Sequence, residues 1–230
     1  MLETLILAAI LIPCLIVAIV FHEVAHGWVA LMLGDPTARE QRRLSLNPIR
    51  HVDPVGTLLV PGALALFGGP IFGWAKPVPV RQDRLDNPRY GMMAVAAAGP
   101  GTNLLLALLG AILAGVVMGA SHAAGIEPNP WFFAGFTYFI LINIFLALFN
   151  LLPIPPFDGS HIVGGLLPLR FQRQWQRLQA LGRVFIVVLI AASWAFPDSG
   201  VVENVVLPPV LWVQEIYFDI DGWIARGIAE

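Results

Sequence analysis

The sequence has little cysteine and little charge. Only one of its 230 residues is cysteine, so the chain can form neither an internal disulfide nor a cluster of thiolate metal ligands. Charged residues make up 12% of the chain, whereas soluble domains carry about a quarter. The net charge of −2 gives no basic surface for nucleic acid, which excludes that class of partner.

Long apolar runs dominate instead, because hydrophobic residues make up 57% of the chain. A helix needs roughly 20 apolar residues to cross a bilayer. The sequence therefore predicts an all-α polytopic membrane protein with about five transmembrane helices. We expect one membrane-embedded domain over residues 1–230, with a core over about 5–165 and accessory helices over about 166–230. The expected spans are three long runs and two weaker ones, at 5–33, 92–119, 131–152, 181–196 and 201–213.

Two stretches depart from this helical pattern. Glycine and proline repeatedly interrupt the apolar residues 55–72, which favours a re-entrant or interfacial segment over a clean span. Pro77 and Pro79 exclude a helix from residues 73–80 and favour an edge strand. The expected fold therefore includes a re-entrant segment and a short β-strand or hairpin region.

Basic residues indicate the orientation in the membrane. The loop 34–91 carries eight lysine and arginine residues, the segment 153–180 carries three, and the loop 120–130 carries none. The positive-inside rule places both basic segments in the cytoplasm and the N-terminus outside, provided that residues 55–72 do not cross. We expect a prokaryotic inner-membrane protein without a cleavable signal peptide, because residues 1–12 have no basic start.

The first apolar run contains three ionisable side chains at close spacing: His22, Glu23 and His26. Residues four apart leave the same face of a helix, so both imidazoles can bind one tetrahedral zinc ion. Glu23 is rotated by about 100° from His22 and can reach a water molecule at the metal. This spacing is typical of zinc metalloproteases. The alternative is a polar helix face packed inside the protein, which would need partners for three costly groups.

A catalytic zinc ion needs a third protein ligand. Asp158 follows an apolar run that crosses in the same direction as the first run, so it arrives on the same side as the two imidazoles. It has no basic neighbour in sequence, and a bound cation would offset the cost of its burial. His122 falls in an external loop on the opposite side. Without this argument from span direction, the candidates for the third zinc ligand would be every acidic residue and the remaining histidines, His51, His122 and His161.

Several motifs together resemble the site-2 protease family of intramembrane zinc metalloproteases. The His-Glu-x-x-His motif lies in a first span, and Asn-x-x-Pro-x-Pro-x-x-Asp-Gly ends a later span at residues 150–159. The segment 98–103, Ala-Gly-Pro-Gly-Thr-Asn, is also similar to that family. The stretches 46–57 and 72–80 resemble its compact bacterial and archaeal branch, which has no PDZ or CBS domain. The resemblance covers roughly residues 15–165.

The resemblance implies a set of functional residues. His22, His26 and Asp158 would bind one zinc ion per chain. Glu23 would act as general base and then as proton donor, and Asn150 would donate a hydrogen bond to the developing oxyanion. The implied activity is that of a zinc endopeptidase, which cleaves peptide bonds within or near transmembrane segments during regulated intramembrane proteolysis.

The substrate cleft is predicted less directly. The resemblance implies that Asn103 lines it. A single-pass membrane protein or a signal-peptide-like segment is the expected substrate, and the lipid bilayer is the other partner. An extended segment over residues 71–80 could pair with an unwound substrate, which makes Gly73, Trp74 and Ala75 candidate contacts; a structural loop is the alternative.

Other interpretations remain at this point. His161 stands where many family members carry arginine, and its role and that of His51 are open. A membrane metal-binding or transport protein would use the same His and Asp residues, but it should carry polar residues in both halves of the membrane, and the outer halves here are apolar. An inactive scaffold is a third possibility. The sequence identifies neither the substrate nor the oligomeric state.

Overall fold

The computed structural model describes residues 2–60, 75–127, 129–182 and 207–229, together with 184, 188 and 204. All regular structure in these parts of the chain is helical, which confirms the expected all-α class. Short 3-10 helices cover Pro48–His51 and Gln82–Arg84, and a π-helix covers Pro54–Leu59. The α-helices are α1 (Leu2–Met32), α2 (Thr37–Glu40), α3 (Pro88–Ala123), α4 (Pro130–Asn150), α5 (Asp158–Leu166), α6 (Leu169–Ala180) and α7 (Leu207–Ala229).

Three of these helices, α1, α3 and α4, are long and apolar enough to cross a membrane. The expectation of five spans is not confirmed. The run at 181–196 lies almost entirely outside the described residues. Part of the run at 201–213 belongs to α7, which is not among the three candidates because its polar half carries Glu215, Asp219, Asp221 and Arg226.

Helix α1 ends where the sequence changes from apolar residues to Gly34-Asp35-Pro36. Gly34 has φ +100°, a conformation that side chains with a Cβ rarely adopt. The N–H groups of Gly34 and Asp35 donate to the carbonyls of Leu31 (3.3 Å) and Ala30 (2.9 Å). This is the Schellman pattern, and it satisfies the last carbonyls of the helix.

The chain divides into two compact units. Unit 1 comprises Met1–Ala18, Gly101–Leu148 and Val202–Glu230. In it, Gly115 and Gly119 lie so close to the backbone of α7 that a Cβ on Gly115 would be 2.5 Å from the carbonyl oxygen of Asp221. Small residues let helices approach closely where lipid provides little hydrophobic drive. The buried cluster of unit 1 consists of Ala107, Ala111, Ile140, Ile144 and Val210.

Unit 2 comprises Ile19–Pro100 and Phe149–Val201. Ala30, Leu85 and Val95 form a buried cluster there. The fully buried Asp35 carboxylate accepts hydrogen bonds from the backbone N–H groups of Thr37 (3.0 Å) and Arg81 (2.6 Å). One side chain thereby fixes the chain after α1 to the segment that precedes α3.

The predicted β-strand or hairpin is not confirmed. Residues 75–81 are irregular and form no sheet with other described residues, while 71–74 lie outside the described part. Proline at 77 and 79 removes two ladder donors. The N–H of Lys76 donates to His51 (2.8 Å), and Arg43 donates to the carbonyl of Lys76 (2.5 Å), so contacts outside a sheet hold this backbone. Most of the expected re-entrant segment 55–72, namely residues 61–72, also lies outside the described residues.

Candidate metal centre

Three potential metal-binding atoms meet at one point in unit 2. Helix α1 presents His22 and His26 on one face, and their Nε2 atoms are 3.0 Å apart. Asp158, the first residue of α5, places Oδ2 3.2 Å from Nε2 of His22 and 3.4 Å from Nε2 of His26. Among the described residues these three form the one group of histidine, cysteine or acidic side chains close enough to share a metal ion.

The separations fit a tetrahedral zinc site. Ligand atoms about 2.0–2.1 Å from a tetrahedral ion lie roughly 3.3 Å from one another. The observed distances of 3.0, 3.2 and 3.4 Å fall around that value. Oδ2 of Asp158 is also buried, and no donor in the described part of the chain forms a hydrogen bond to it. A buried carboxylate oxygen in this position requires a cation, and two imidazoles with one carboxylate are ligands that zinc accepts.

A backbone contact fixes the tautomer of His26. Nδ1 of its ring lies 2.7 Å from the carbonyl oxygen of Val95 in α3. A carbonyl only accepts, so Nδ1 carries the hydrogen and Nε2 presents its lone pair. That lone pair faces Oδ2 of Asp158, which is also an acceptor. Carbonyl contacts of this kind orient histidine ligands in metal sites.

The turn before α5 delivers Asp158. Gly159 is packed so tightly against the carbonyl groups of Leu151 and Leu152 that no Cβ would fit. At the other end of α5, Arg89 donates to the carbonyls of Gly165 (2.9 Å) and Leu167 (2.6 Å). Both ends of this short helix are therefore fixed.

The Asp158 carboxyl remains ionised despite its surroundings. Burial alone would raise its pKa, but when the rings of His22 and His26 carry a hydrogen on Nε2 they outweigh this effect and lower the pKa to about 2. The carboxylate form needed for metal binding is therefore present throughout the neutral range.

Glu23 lies beside this group, on the next face of α1. Its Oε2 accepts a hydrogen bond of 2.7 Å from the backbone N–H of Val78. A carboxylate has two oxygens with two lone pairs each, so this bond leaves capacity to take up a proton. The irregular segment 75–81 thus orients Glu23.

A cavity of about 330 Å³ contains all of these groups. Asn150, the last residue of α4, lines it, as does His161 in α5. Burial lowers the pKa of His161 below its usual value, although the charge of Asp158 opposes this shift. The lining residues are His22, Glu23, His26, Pro77, Val78, Val80, Met92, Val95, Ala96, Asn150, Pro156, Asp158 and His161.

Other sequence candidates are not brought into this cavity. His51 is buried at the end of the 3-10 helix Pro48–His51, where Nε2 donates to the carbonyl of Ser45 (2.7 Å). His122 is exposed in the last turn of α3. Asn103 is 0% exposed in unit 1, and its amide donates to the carbonyl of Ala18 and to Oδ1 of Asn143. Ala75 does not line the cavity, and Gly73 and Trp74 lie outside the described residues.

Three residues contribute to the metal centre although no sequence motif assigned them a role there: Val78, Val95 and Gly99. Val78 and Val95 act through backbone groups, which no side-chain motif reveals. Gly99 contributes by its lack of a side chain, since a Cβ there would lie 2.5 Å from Nε2 of His26. The small-residue segment around Gly99 was the available signal, because it predicts close helix approach.

The chain is similar to several curated proteins that share the name "Putative zinc metalloprotease". The one designated YwhC, from Bacillus subtilis, is 41% identical over 200 residues, covering 83% of this chain and 86% of that protein. Rip2 from Mycolicibacterium smegmatis is 25% identical over 203 residues, covering 81% and 72%. MJ0611 from Methanocaldococcus jannaschii is 30% identical over 146 residues, covering 63% of each. No solved structure matches the chain.

These similarities and the site define a class, the zinc metallopeptidases of membranes. The sequence profile described as Peptidase family M50 matches residues 113–192, a range that includes Asn150 and Asp158. The chain belongs to this family, the site-2 protease family, and is an integral membrane protein. The resemblance indicated by the sequence motifs is therefore confirmed.

Proposed function

We propose that the protein is an intramembrane endopeptidase that uses one zinc ion per chain. Its substrates are single-pass membrane proteins or signal-peptide-like segments, which it cleaves within or near their transmembrane part during regulated proteolysis. The observation that carries this proposal is that Asp158 meets His22 and His26, with Glu23 beside them, where these last three residues belong to a helix apolar enough to span a bilayer.

The position of the motif along α1 supports cleavage below the membrane surface. His26 and His22 precede the end of the helix at Met32 by about 9 and 15 Å, at 1.5 Å per residue. The chain that follows this end is rich in arginine, so we propose that the N-terminus is outside and the site is nearer the cytoplasm of a prokaryotic inner membrane.

His22, His26 and Asp158 hold the metal in the proposed mechanism. When bound, zinc lowers the pKa of water towards about 7 and polarises a peptide carbonyl. Glu23 accepts the proton of the attacking water and passes it to the leaving amine. Val78 keeps the Glu23 carboxylate in one orientation during both transfers. Asn150, in the same cavity, donates a hydrogen bond to the carbonyl oxygen as negative charge develops there.

The experiment compares the wild-type protein with Glu23→Gln in detergent, with zinc analysis and a cleavage assay on a panel of single-span proteins. Glutamine keeps an oxygen that can accept from Val78 but cannot take up a proton at neutral pH. We expect full zinc content and a loss of cleavage of about 100-fold or more.

Glu3→Gln is the matched control, because Glu3 is exposed on the same helix. It should cleave like the wild-type protein. Equal cleavage by the Glu23→Gln variant would contradict the role of Glu23. Absence of zinc from the wild-type protein would contradict the proposed function as a whole.

A further inference from the structure

Helix α6 carries an exposed basic stripe, defined as Arg170, Arg173 and Arg177. These residues are spaced by three and four positions, so they share one face of the helix. None of them forms an ion pair with any side chain in the described ranges, and the stretch 166–180 contains no acidic residue. The guanidinium of Arg170 lies over the ring of Phe171, 4.8 Å from its centroid. All three arginines are exposed, so the stripe offers cationic groups to a partner outside the chain.

The opposite face of α6 is fixed to α5. The indole of Trp175 lies over Gly164, where a Cβ would be 2.9 Å from the ring, and its Nε1 donates to the carbonyl of Ser160 (2.8 Å). The amide of Gln179 donates to the same carbonyl and to Nδ1 of His161, each at 3.3 Å. These contacts determine which face of the helix points outward.

Apolar side chains lie beside the basic stripe, along the edge of the helix between the stripe and the face packed on α5. Phe171 is 41% exposed and Leu178 is 45% exposed, and both lie on the same side of the helix. Leu169, at the start of the helix, is 72% exposed. A helix with exposed arginines beside exposed phenylalanine and leucine has the composition of an interfacial membrane helix.

We propose that α6 docks on the bilayer surface, with its basic stripe bound to the headgroup phosphates of anionic phospholipids. Arginine matches phosphate because its planar donors can form paired hydrogen bonds. The neighbouring Phe171 and Leu178 enter the boundary between headgroups and acyl chains. An acidic protein segment would satisfy the arginines but would leave these apolar side chains in water, so the combined surface fits lipid.

Docking connects the lipid surface to the metal centre. Ser160, the residue that Trp175 and Gln179 both contact, lies in the first turn of α5, two positions after Asp158. A displacement of α6 therefore acts on the same helical turn that holds the carboxylate.

The test uses a spin label at Gln174, an exposed outward position of α6, in a Cys14→Ala background that leaves no other cysteine. The labelled protein is placed in vesicles of phosphatidylcholine, with or without phosphatidylglycerol. We expect oxygen accessibility of the label to rise with phosphatidylglycerol and to fall again at high salt. Each Arg→Gln change in the stripe should lower the docking equilibrium roughly fivefold.

Three variants make the result specific. The triple change to lysine keeps the charge and should dock, whereas the triple change to glutamine should not. Arg39→Gln, an exposed arginine on α2, should leave the response unchanged. Identical label accessibility in both lipids, or docking by the triple glutamine variant, would overturn the proposal. A response to soluble polyglutamate but not to phosphatidylglycerol would also overturn it, by assigning the stripe to an acidic protein segment.

Discussion

Gly99 lies directly against His26. A Cβ built on Gly99 would be 2.5 Å from Nε2 of His26 and 2.6 Å from Cε1 of His22, both well inside van der Waals contact. The backbone of α3 therefore forms one wall of the metal centre, and glycine is the residue that leaves room for both rings.

Replacement of Gly99 by alanine should displace the imidazoles. We expect a destabilisation of about 1–3 kcal/mol, as for other overpacked interiors, together with loss of zinc and of cleavage. Metal analysis of the purified variant, thermal unfolding in detergent and the cleavage assay provide the measurements.

Gly101→Ala is the control for this substitution. Gly101 lies in the same helix, but a Cβ there would have no atom within 4 Å. Since alanine favours helix by about 1 kcal/mol over glycine, this variant should be as stable as the wild type or more so, with full zinc content. Normal zinc binding by Gly99→Ala would contradict the close packing described here.

Asp158→Asn tests the third ligand. Asparagine preserves the shape of the side chain but removes the negative charge that faces the two ring nitrogens. We expect zinc affinity to fall by more than about 100-fold, because loss of a supporting partner alone costs roughly 10–100-fold. Competition with a chelator measures the affinity. Asp83→Asn, at an exposed carboxylate paired with Arg81, should bind zinc normally; equal affinity of both variants would exclude Asp158 as a ligand.

Asn150→Ala and Asn150→Asp test the proposed oxyanion donor. Both substitutions remove the amide donor, and we expect cleavage to fall by about 100- to 1,000-fold. Zinc content should stay at the wild-type level, because Asn150 is not in the ligand group. If both variants lost the metal along with activity, the role of Asn150 would be structural instead.

Asp35 gives the protein a dependence on pH. Burial works against its ionisation, but hydrogen bonds from Thr37 and Arg81 and the charge of Arg84 prevail and lower its pKa below the usual 3.8. A carboxyl whose pKa is lowered by folding stabilises the folded state above its unfolded pKa. This contribution is lost as the pH falls through the lower, folded value.

Asp35→Asn should therefore destabilise the protein at neutral pH by about 1–3 kcal/mol, since the amide would face the N–H of Arg81 with a second donor. Below about pH 4 the difference in stability between this variant and the wild type should become smaller. Thermal unfolding in detergent across this pH range measures both effects. As a control, Asp83→Asn should change the midpoint of thermal unfolding little. If the difference in unfolding midpoint between Asp35→Asn and the wild type were the same at every pH, ionisation of Asp35 would not contribute to stability.

Much of this protein follows from local sequence. The spacing of His22 and His26 on an apolar run predicted a shared helix face, and the structure places their Nε2 atoms 3.0 Å apart. The direction of each apolar run placed Asp158 on the same side, which agrees with its position beside both rings. The shared face of the two histidines was predictable because helix periodicity depends on residues close together in the chain.

Contacts between distant segments were not predictable in the same way. The family resemblance implied that Asn103 lines a cleft, and nothing in the sequence indicated its hydrogen-bond partner. Its partner Asn143 is forty positions away, and no periodic pattern connects the two. Residues 73–80 were predicted to be an edge strand because Pro77 and Pro79 exclude a helix. Whether the N–H of Val78 meets a neighbouring strand or the Glu23 carboxylate depends on tertiary packing.

The buried asparagine pair sets the axial register of three helices in unit 1. Asn103 of α3 donates to Ala18 of α1 (3.1 Å) and to Oδ1 of Asn143 in α4 (2.8 Å), while Asn143 donates to Phe139 (2.8 Å). Leucine and alanine neighbours would tolerate a slip of one helix along another, since apolar surfaces match in many alignments. Two amides in hydrocarbon do not tolerate it, because a slip would leave donors and acceptors stranded where no water can replace the lost bonds.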